Sequence, residues 1–195
     1  MSIVILLLLI SLIPVLHNGC SANSSKNNSA KKASNASQPP TPSPMQGQLT
    51  MEVNKAAGNS PVLSEVRSSG ILRASVECNR PPLCYKDKYG VARGFEVNIL
   101  QQAASAMGVK LNIVPPETES PISGPSQYSK AKPDNALIPY YYSSKTGWLA
   151  FRVNGDDGFI KATRLIIDHL YDTGTYQQLF VNMTKETQNS ETADK

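Results

Sequence analysis

This sequence of 195 residues has few long hydrophobic runs and only two histidines. Neither sign of charge is in large excess. Residues 3–16 are its one long apolar stretch, so a membrane protein with several spans is excluded. The length leaves room for about one domain, which excludes a large multidomain enzyme. The net charge is only +4, and the lysines of residues 21–60 contribute much of it. The remainder is near neutral, so we predict no dedicated nucleic-acid surface.

The N-terminal residues have the architecture of an export signal. The apolar stretch 3–16 is shorter than the about 20 residues of a transmembrane helix, and Gly19 directly precedes Cys20. This arrangement resembles a bacterial lipoprotein signal. The resemblance implies that residues 1–20 are a lipoprotein-type signal peptide and that Cys20 is lipidated as the first mature residue. The protein would then be exported, periplasmic or extracytoplasmic, and anchored to the membrane. An ordinary secretory signal or an uncleaved anchor is the alternative.

A polar segment separates this signal from the rest of the chain. Residues 21–60 are rich in Ser, Asn, Lys, Pro and Ala and contain few large apolar side chains. Such a segment lacks the apolar surface that a folded core requires, so we predict a disordered tether. As a flexible coil it would span about 35 Å. The folded lobe is then expected over residues 61–185, followed by a frayed polar tail over residues 186–195.

Three cysteines are present, and lipidation of Cys20 would leave Cys78 and Cys84. An exported protein enters an oxidising compartment, so we predict a disulfide between these two. It would close a short loop and fix its shape. A metal pair lacks nearby His or Cys partners, because His17 lies in the signal and His169 is alone in a predicted helix. A catalytic cysteine would need a histidine that the sequence does not place near it.

The folded part alternates strands with helices. Residues 71–76 are predicted as a strand, and a proline-containing loop follows over residues 77–83. Apolar residues at helical spacing predict a helix over Phe95–Met107, which Gly108 ends, and residues 110–114 form a second predicted strand. A strand, loop, helix and strand in this order indicate a parallel α/β unit.

The second half of the lobe begins with a proline-rich stretch. Residues 115–135 contain five prolines and little apolar content, which indicates a loop or linker. Trp148–Val153 is a third predicted strand, and Asp156 is the predicted N-cap of the helix that follows. A last helix is expected to begin at Thr175.

Six segments follow one another in a characteristic order: Gly70–Glu77, Pro81–Asp87, Gly90–Asn98, Met107–Pro115, Trp148–Asp157 and Asp172–Leu179. Their order and spacing resemble the bacterial extracellular solute-binding proteins of family 3, the amino-acid-type binding proteins of ABC importers. The resemblance covers about 95 of the 195 residues. The middle of the family's sequence, which builds a second lobe, is nearly absent here.

The resemblance implies an α/β fold, namely a single lobe of the type 2 periplasmic-binding-protein fold. Its short, mostly parallel sheet would be flanked by helices. In this interpretation residues 115–146 are a Pro-rich loop that replaces the second lobe. Within them, Pro139–Ser143 is similar to the strand that crosses between lobes in the family.

In the resembled family the solute lies between the lobes, partly held by the loop after the first strand. Carried over by position, the remaining wall of that site consists of Glu77, Asn79, Arg80, Leu83 and Tyr85. Arg80 stands where tyrosine is common, and an arginine there suits an anionic group. The alternative is a solvated loop arginine, and Glu96 is expected to be a helix-terminal charge rather than a ligand contact. The family's T-x-E-R motif, whose arginine binds the solute carboxylate, is not found.

Three consecutive tyrosines, Tyr140, Tyr141 and Tyr142, allow two interpretations. They form either a strand with one buried and two half-exposed rings, or an exposed aromatic patch where the second lobe once packed. Such a patch would suit a protein partner. The strand is the default interpretation.

These observations and the resemblance predict a membrane-tethered, extracytoplasmic solute-binding lipoprotein. It would bind an amino acid or a similar small polar solute for import by an ABC transporter permease. The alternative is a degenerate single lobe that binds another envelope protein and has no transport activity. Related enzymes place catalytic acids in segments not found here, so no enzymatic activity, metal, cofactor or nucleic-acid partner is expected.

Overall fold

Helices and strands alternate in the computed structural model, which describes residues 44–128, residue 130 and residues 134–193. The helices in these residues are α1 (Pro44–Ala57), α2 (Pro61–Ser69), α3 (Phe95–Met107), α4 (Asp157–Asp172) and α5 (Thr175–Ala193). The strands are β1 (Ile71–Val76), β2 (Tyr85–Lys86), β3 (Ala92–Arg93), β4 (Lys110–Val114), β5 (Ile122–Tyr128), β6 (Leu137–Ser143) and β7 (Gly147–Val153).

The main sheet has five strands in the order β4-β1-β5-β7-β6, and β2 pairs with β3 in a separate hairpin. β1 is parallel to β4 on one side and to β5 on the other, whereas β7 is antiparallel to both of its neighbours. Four strands therefore run in one direction and one runs in the opposite direction. This mostly parallel sheet flanked by helices confirms the predicted α/β fold class.

The core lies between one face of the sheet and the helices. Along β1, Leu72 and Ala74 are buried while Ile71 and Arg73 are exposed, because successive side chains of a strand point to opposite faces. The helices α3 and α4 add apolar side chains at helical spacing. The largest fully buried aromatic side chains are Tyr140, Phe95, Phe151 and Phe159.

The prediction of a disordered tether over residues 21–60 is wrong for its second part. Helix α1 begins at Pro44, and its buried residues Leu49, Val53 and Ala57 follow one another at four-residue spacing. This narrow apolar stripe packs against α4. The polar residues between its members lower the average hydrophobicity of the segment, so composition alone does not indicate a helix.

The N-cap residues of helices α2 and α4 are hydrogen-bonded to each other. Ser60 Oγ accepts a hydrogen bond from Leu63 N at 3.0 Å and donates one to Asp156 Oδ2 at 2.9 Å. Asp156 Oδ1 accepts from Phe159 N at 3.0 Å, which confirms the predicted N-cap of α4. Gly70 ends α2 with a φ of 68°, a conformation that favours glycine. Helix α2 is only nine residues long and is not predicted from the sequence.

The prediction that residues 115–146 form a Pro-rich loop is also wrong, because they contain β5, which was not predicted, and β6, which includes the predicted strand at Pro139–Ser143. In β5, Pro125 lies where the pairing with β7 shifts register, between Ser123 and Ser126. Proline has no N–H to donate, so a strand accommodates it at such an irregularity. Ile122 is the one fully buried apolar side chain of β5, and this low apolar content hides the strand in the sequence.

Side chains from two helices cover the outer edge of β6. The carbonyl oxygen of Tyr140 accepts hydrogen bonds from the hydroxyls of Tyr171 at 3.2 Å and Tyr176 at 2.7 Å. Arg164 Nη2 donates to the carbonyl oxygens of Asn135 at 2.9 Å and Leu137 at 3.4 Å. These contacts satisfy backbone acceptors that an edge strand would otherwise expose.

The last helix starts at Thr175, as predicted, but continues to Ala193, so the prediction of a frayed tail over residues 186–195 is wrong for most of that segment. Among the described residues no helix is both long and apolar enough to cross a membrane. The predicted signal with Cys20 and the first part of the predicted tether lie outside the described residues.

Candidate functional site

The loop after β1 is closed on itself by a covalent bond and by backbone pairing. Cys78 and Cys84 form a disulfide, as predicted. Inside that ring Arg80 N donates to Cys84 O at 2.8 Å, and Cys84 N donates to Arg80 O at 3.0 Å. The side chain of Arg80 therefore projects from a loop whose shape is fixed.

The same loop rests on the first turn of α3. Phe95 N donates to Pro82 O at 3.2 Å, and Glu96 N donates to Leu83 O at 2.9 Å. These bonds satisfy two N–H groups that the start of a helix leaves without an intrahelical partner. Gly94 makes the approach possible, because a Cβ there would lie 2.5 Å from Leu83 O. Its φ of 117° also favours glycine.

A buried ion pair joins the loop to α3. Arg80 Nη2 donates to both carboxylate oxygens of Glu96, at 2.8 and 3.1 Å. The Glu96 side chain is 0% exposed and that of Arg80 is 28% exposed. The Tyr140 hydroxyl donates a further hydrogen bond to Glu96 Oε1. Glu96 lies in the first turn of α3, as predicted, but its carboxylate is buried and paired. The alternative that Arg80 is a solvated loop arginine is wrong, because its guanidinium binds this carboxylate.

Burial controls the protonation of this cluster. It raises the pKa of the Glu96 carboxyl above its ordinary value, while the hydrogen bond from Tyr140 and the charge of Arg80 oppose the rise. Burial and the adjacent Glu96 carboxylate raise the pKa of Tyr140 far above the range of an exposed phenol. Tyr140 therefore stays protonated and acts as a donor.

Two more of the predicted site residues lie beside Arg80 at the carboxyl end of β1. Glu77 and Asn79 are both exposed, and Asn79 Nδ2 donates to Glu77 Oε1 at 2.8 Å. The negative charge of Glu77 adds slightly to the rise in the pKa of Glu96. Leu83 and Tyr85 are half-buried, and Leu83 packs against the core. The structure therefore brings Glu77, Asn79 and Arg80 together, and the binding role of all five residues stays a prediction.

The three tyrosines of β6 point in different directions. Tyr140 is fully buried and stacks on Phe151 with ring centroids 4.0 Å apart. Tyr141 is half-buried and packs against the core. Tyr142 is 57% exposed and lies 5.2 Å from the Trp148 ring. The strand interpretation is confirmed, and a patch of three exposed tyrosines is wrong because Tyr140 is inaccessible.

The link between Glu96 and Tyr140 is not predicted from the sequence. The two residues lie 44 positions apart, and only the packing of β6 against the start of α3 joins them. The Gly94-Phe95 pair is the one local signal for it, because it marks a helix start that another backbone approaches closely. In the described residues, no group of three His, Cys, Asp or Glu is arranged to hold a metal ion.

No family model and no curated protein matches this chain. Among solved structures it is similar to the ancestral cationic amino acid solute binding protein AncCDT-1. That alignment has 14% identity and a TM-score of 0.52, and it covers 63% of this chain and 99% of that chain. The arginine-bound form of domain 1 from TmArgBP aligns at 21% identity and a TM-score of 0.45, over 54% and 98% of the two chains. The ancestral cyclohexadienyl dehydratase AncCDT-3 aligns at 13% identity and a TM-score of 0.49, over 66% and 98%.

The likeness to AncCDT-1 concerns the fold. The five-stranded sheet with β1 between two parallel neighbours and one antiparallel strand, β7, matches a single lobe of a periplasmic-binding-protein fold. The predicted fold is therefore confirmed. It places Glu77, Asn79 and Arg80 at the carboxyl end of β1, the end at which open α/β sheets commonly bind ligands.

Proposed function

We propose that this chain is an extracytoplasmic solute-binding protein that uses one lobe to bind an amino acid or a similar small polar solute. The observation that carries the proposal is the Arg80–Glu96 ion pair under a disulfide-closed loop at the carboxyl end of β1. The fold shared with AncCDT-1 supports the same position for the site.

The charges at this end of the sheet suit a zwitterion. Arg80 binds Glu96 through Nη2, and its side chain remains 28% exposed. We assign the exposed part of this guanidinium as the donor to the solute carboxylate. Glu77 carries an exposed carboxylate three residues away, which we assign to the solute ammonium group. Because half of the solute surface would remain in water, we expect weaker binding than between two lobes.

The cellular role belongs to the same proposal. A lipid on Cys20 would anchor the protein to the membrane, where an ABC transporter permease would receive the solute. We propose a binding role rather than an enzymatic one, because the buried acid is already paired with Arg80 and bound by the buried Tyr140 hydroxyl.

A second candidate function is an interaction module of the cell envelope. The exposed Tyr142 ring beside the half-buried Trp148 favours it, since aromatic side chains are enriched at protein contacts. In that case the lobe would bind a protein and no small solute.

Isothermal titration calorimetry of the full-length protein tests the proposal, with arginine, lysine, glutamine, glutamate and a polyamine as separate titrants. We expect saturable heat with at least one amino acid. Glu77→Gln should weaken this binding about tenfold, because it removes one of two charges that a zwitterion requires. The matched control Glu117→Gln removes an exposed carboxylate from the segment between β4 and β5 and should leave the affinity unchanged. Absence of heat with every titrant would overturn the proposal and favour the interaction module.

A further inference from the structure

The connection between β4 and β5 is unusually short for its geometry. β4 and β5 lie on opposite sides of β1 and are both parallel to it, yet seven residues, 115–121, join them. Parallel strands are usually joined by a crossover of a dozen or more residues that contains a helix. No helix occurs in this connection. The sheet face that such a helix would cover therefore lacks it.

The uncovered face can be followed through the strand register. Ile71 and Arg73 of β1 point away from the core, and they lie opposite Lys110 and Asn112 of β4. All four side chains are exposed, with 41% of Ile71 accessible. We call these four residues the open face. Mostly parallel sheets are normally covered on both faces, so an open face on β1 and β4 departs from the usual architecture.

A cleft of about 620 Å³ lies between the open face and α2. Its acidic rim consists of Glu65 on α2 and Glu119 on the β4–β5 connection. Among the described residues, the side chains of Arg73, Glu65 and Glu119 take part in no hydrogen bond or ion pair. The apolar part of the lining comes from Val62, Val66, Ile71 and Pro121.

We propose that the open face is the contact surface of a two-fold dimer, in which a second copy of this chain covers the cleft. The surface carries unpaired charges of both signs, so a two-fold axis places Arg73 and Lys110 of one copy against the acidic rim of the other. An interface of this kind uses the same patch on both copies and is closed. The acidic rim disfavours an anionic membrane or a nucleic acid as the occupant.

This inference goes beyond the proposed solute site. Ile71 and Glu77 are separated by the length of β1, about 20 Å at the rise of an extended strand. The dimer would therefore leave the loop of Arg80 accessible. Failure of solute binding and failure of dimerisation are separate results.

Sedimentation velocity of the full-length chain, in one nonionic detergent throughout, measures the association. We expect a reversible dimer for the wild type. Arg73→Glu and the double variant Glu65→Lys/Glu119→Lys should each weaken it by about tenfold or more, because each sets like charges against one another in both halves of the interface. Lys161→Glu, an exposed charge reversal on α4, is the control and should leave the dimer unchanged.

Mixing the two weakened variants gives the decisive result. In a heterodimer, Glu at position 73 of one copy would face lysines at 65 and 119 of the other, while the native residues pair across the second half. The equimolar mixture should therefore recover the wild-type dimer, which misfolding of either variant would not allow. A monomeric wild type, a dimer that Arg73→Glu leaves unchanged, or a mixture that stays monomeric would overturn the proposal.

Discussion

The hydroxyl of Tyr140 donates a hydrogen bond to the buried carboxylate of Glu96, from a strand 44 residues further along the chain. Arg80 binds the same carboxylate from the loop after β1. Three separate segments therefore meet at one charge. Because Glu96 is inaccessible to water, these two donors must compensate the free-energy cost of burying its carboxylate.

Replacing Tyr140 by phenylalanine removes one of the two donors without changing the ring. We expect the free energy of unfolding to fall by about 2 kcal/mol, the usual loss for a hydrogen bond to a charged group. Urea denaturation of both proteins measures the difference. Tyr142→Phe is the matched control, because Tyr142 is largely exposed and its variant should stay within about 0.5 kcal/mol of the wild type. Equal losses in the two variants would contradict the assigned role of Tyr140.

Removing the Arg80 charge alone leaves the buried Glu96 carboxylate without a counter-charge, with Tyr140 as its remaining donor. Arg80→Ala should therefore lower the free energy of unfolding by about 3 kcal/mol or more. The double variant Arg80→Met/Glu96→Gln removes both charges together and should be considerably more stable than Arg80→Ala. Arg93→Ala serves as the control, since the Arg93 side chain is 59% exposed in its ion pair with Asp87 and ion pairs of exposed side chains contribute little. Thermal and urea unfolding provide the comparison, and a double variant no more stable than Arg80→Ala would contradict a buried pair.

The raised pKa of Glu96 predicts a pH dependence with a definite sign. The folded state binds this proton more tightly than the unfolded state, whose carboxyl titrates near the ordinary value of 4.5. The contribution of Glu96 to stability is therefore largest below that pH and declines as the pH rises through the folded-state pKa. The difference in free energy of unfolding between the wild type and Glu96→Gln should decrease over this window, by up to about 1.4 kcal/mol per pH unit.

Urea denaturation at a series of pH values checks this expectation. Glu117→Gln, on an exposed loop position, controls for the loss of one carboxylate and should show no such decline relative to the wild type. A difference between the wild type and Glu96→Gln that grows with pH would show that the carboxyl titrates in the opposite direction.

Substitutions at two glycines distinguish the cost of a positive φ from the cost of a steric clash with a new Cβ. Gly90 and Gly94 both have positive φ, but a Cβ at Gly90 meets no atom within 4 Å, whereas one at Gly94 meets Leu83 O at 2.5 Å. Gly90→Ala should cost about 1 kcal/mol from its backbone conformation alone. Gly94→Ala should cost clearly more, because the disulfide-closed loop must move away from α3. Equal unfolding midpoints for the two variants would contradict a close approach at Gly94.

The elements that could be predicted from sequence have strong local signals. The strand β1 and helix α3 follow simple apolar periodicity, and Asp156 is a standard N-cap residue in the position where α4 begins. The disulfide is predicted from the cysteine count and the expected export, and its two cysteines are only six positions apart in the sequence. In each case the residues that determine the structure are neighbours in the sequence.

The elements that were missed depend on distant partners. The apolar stripe of helix α1 contains only Leu49, Val53 and Ala57. It stabilises the helix only by packing against α4. β5 is a strand because β1 and β7 supply hydrogen bonds on both sides, although its own residues are mostly small and polar. The Arg80–Glu96–Tyr140 cluster likewise has no local pattern, since its members come from a loop, a helix and a strand.

The hydroxyls of Tyr171 and Tyr176 cover the edge of β6, but they are synthesised after all the strands of the sheet. Both cap the carbonyl oxygen of Tyr140 on the outer strand, yet they come from the end of α4 and the beginning of α5. A growing chain that has reached β7 therefore has all the strands of its sheet but leaves the β6 edge uncapped. During this interval the unprotected edge is open to pairing with other chains, and a chaperone that binds extended segments would act there. The interval ends when Tyr176 is free to fold and its hydroxyl binds the carbonyl oxygen of Tyr140.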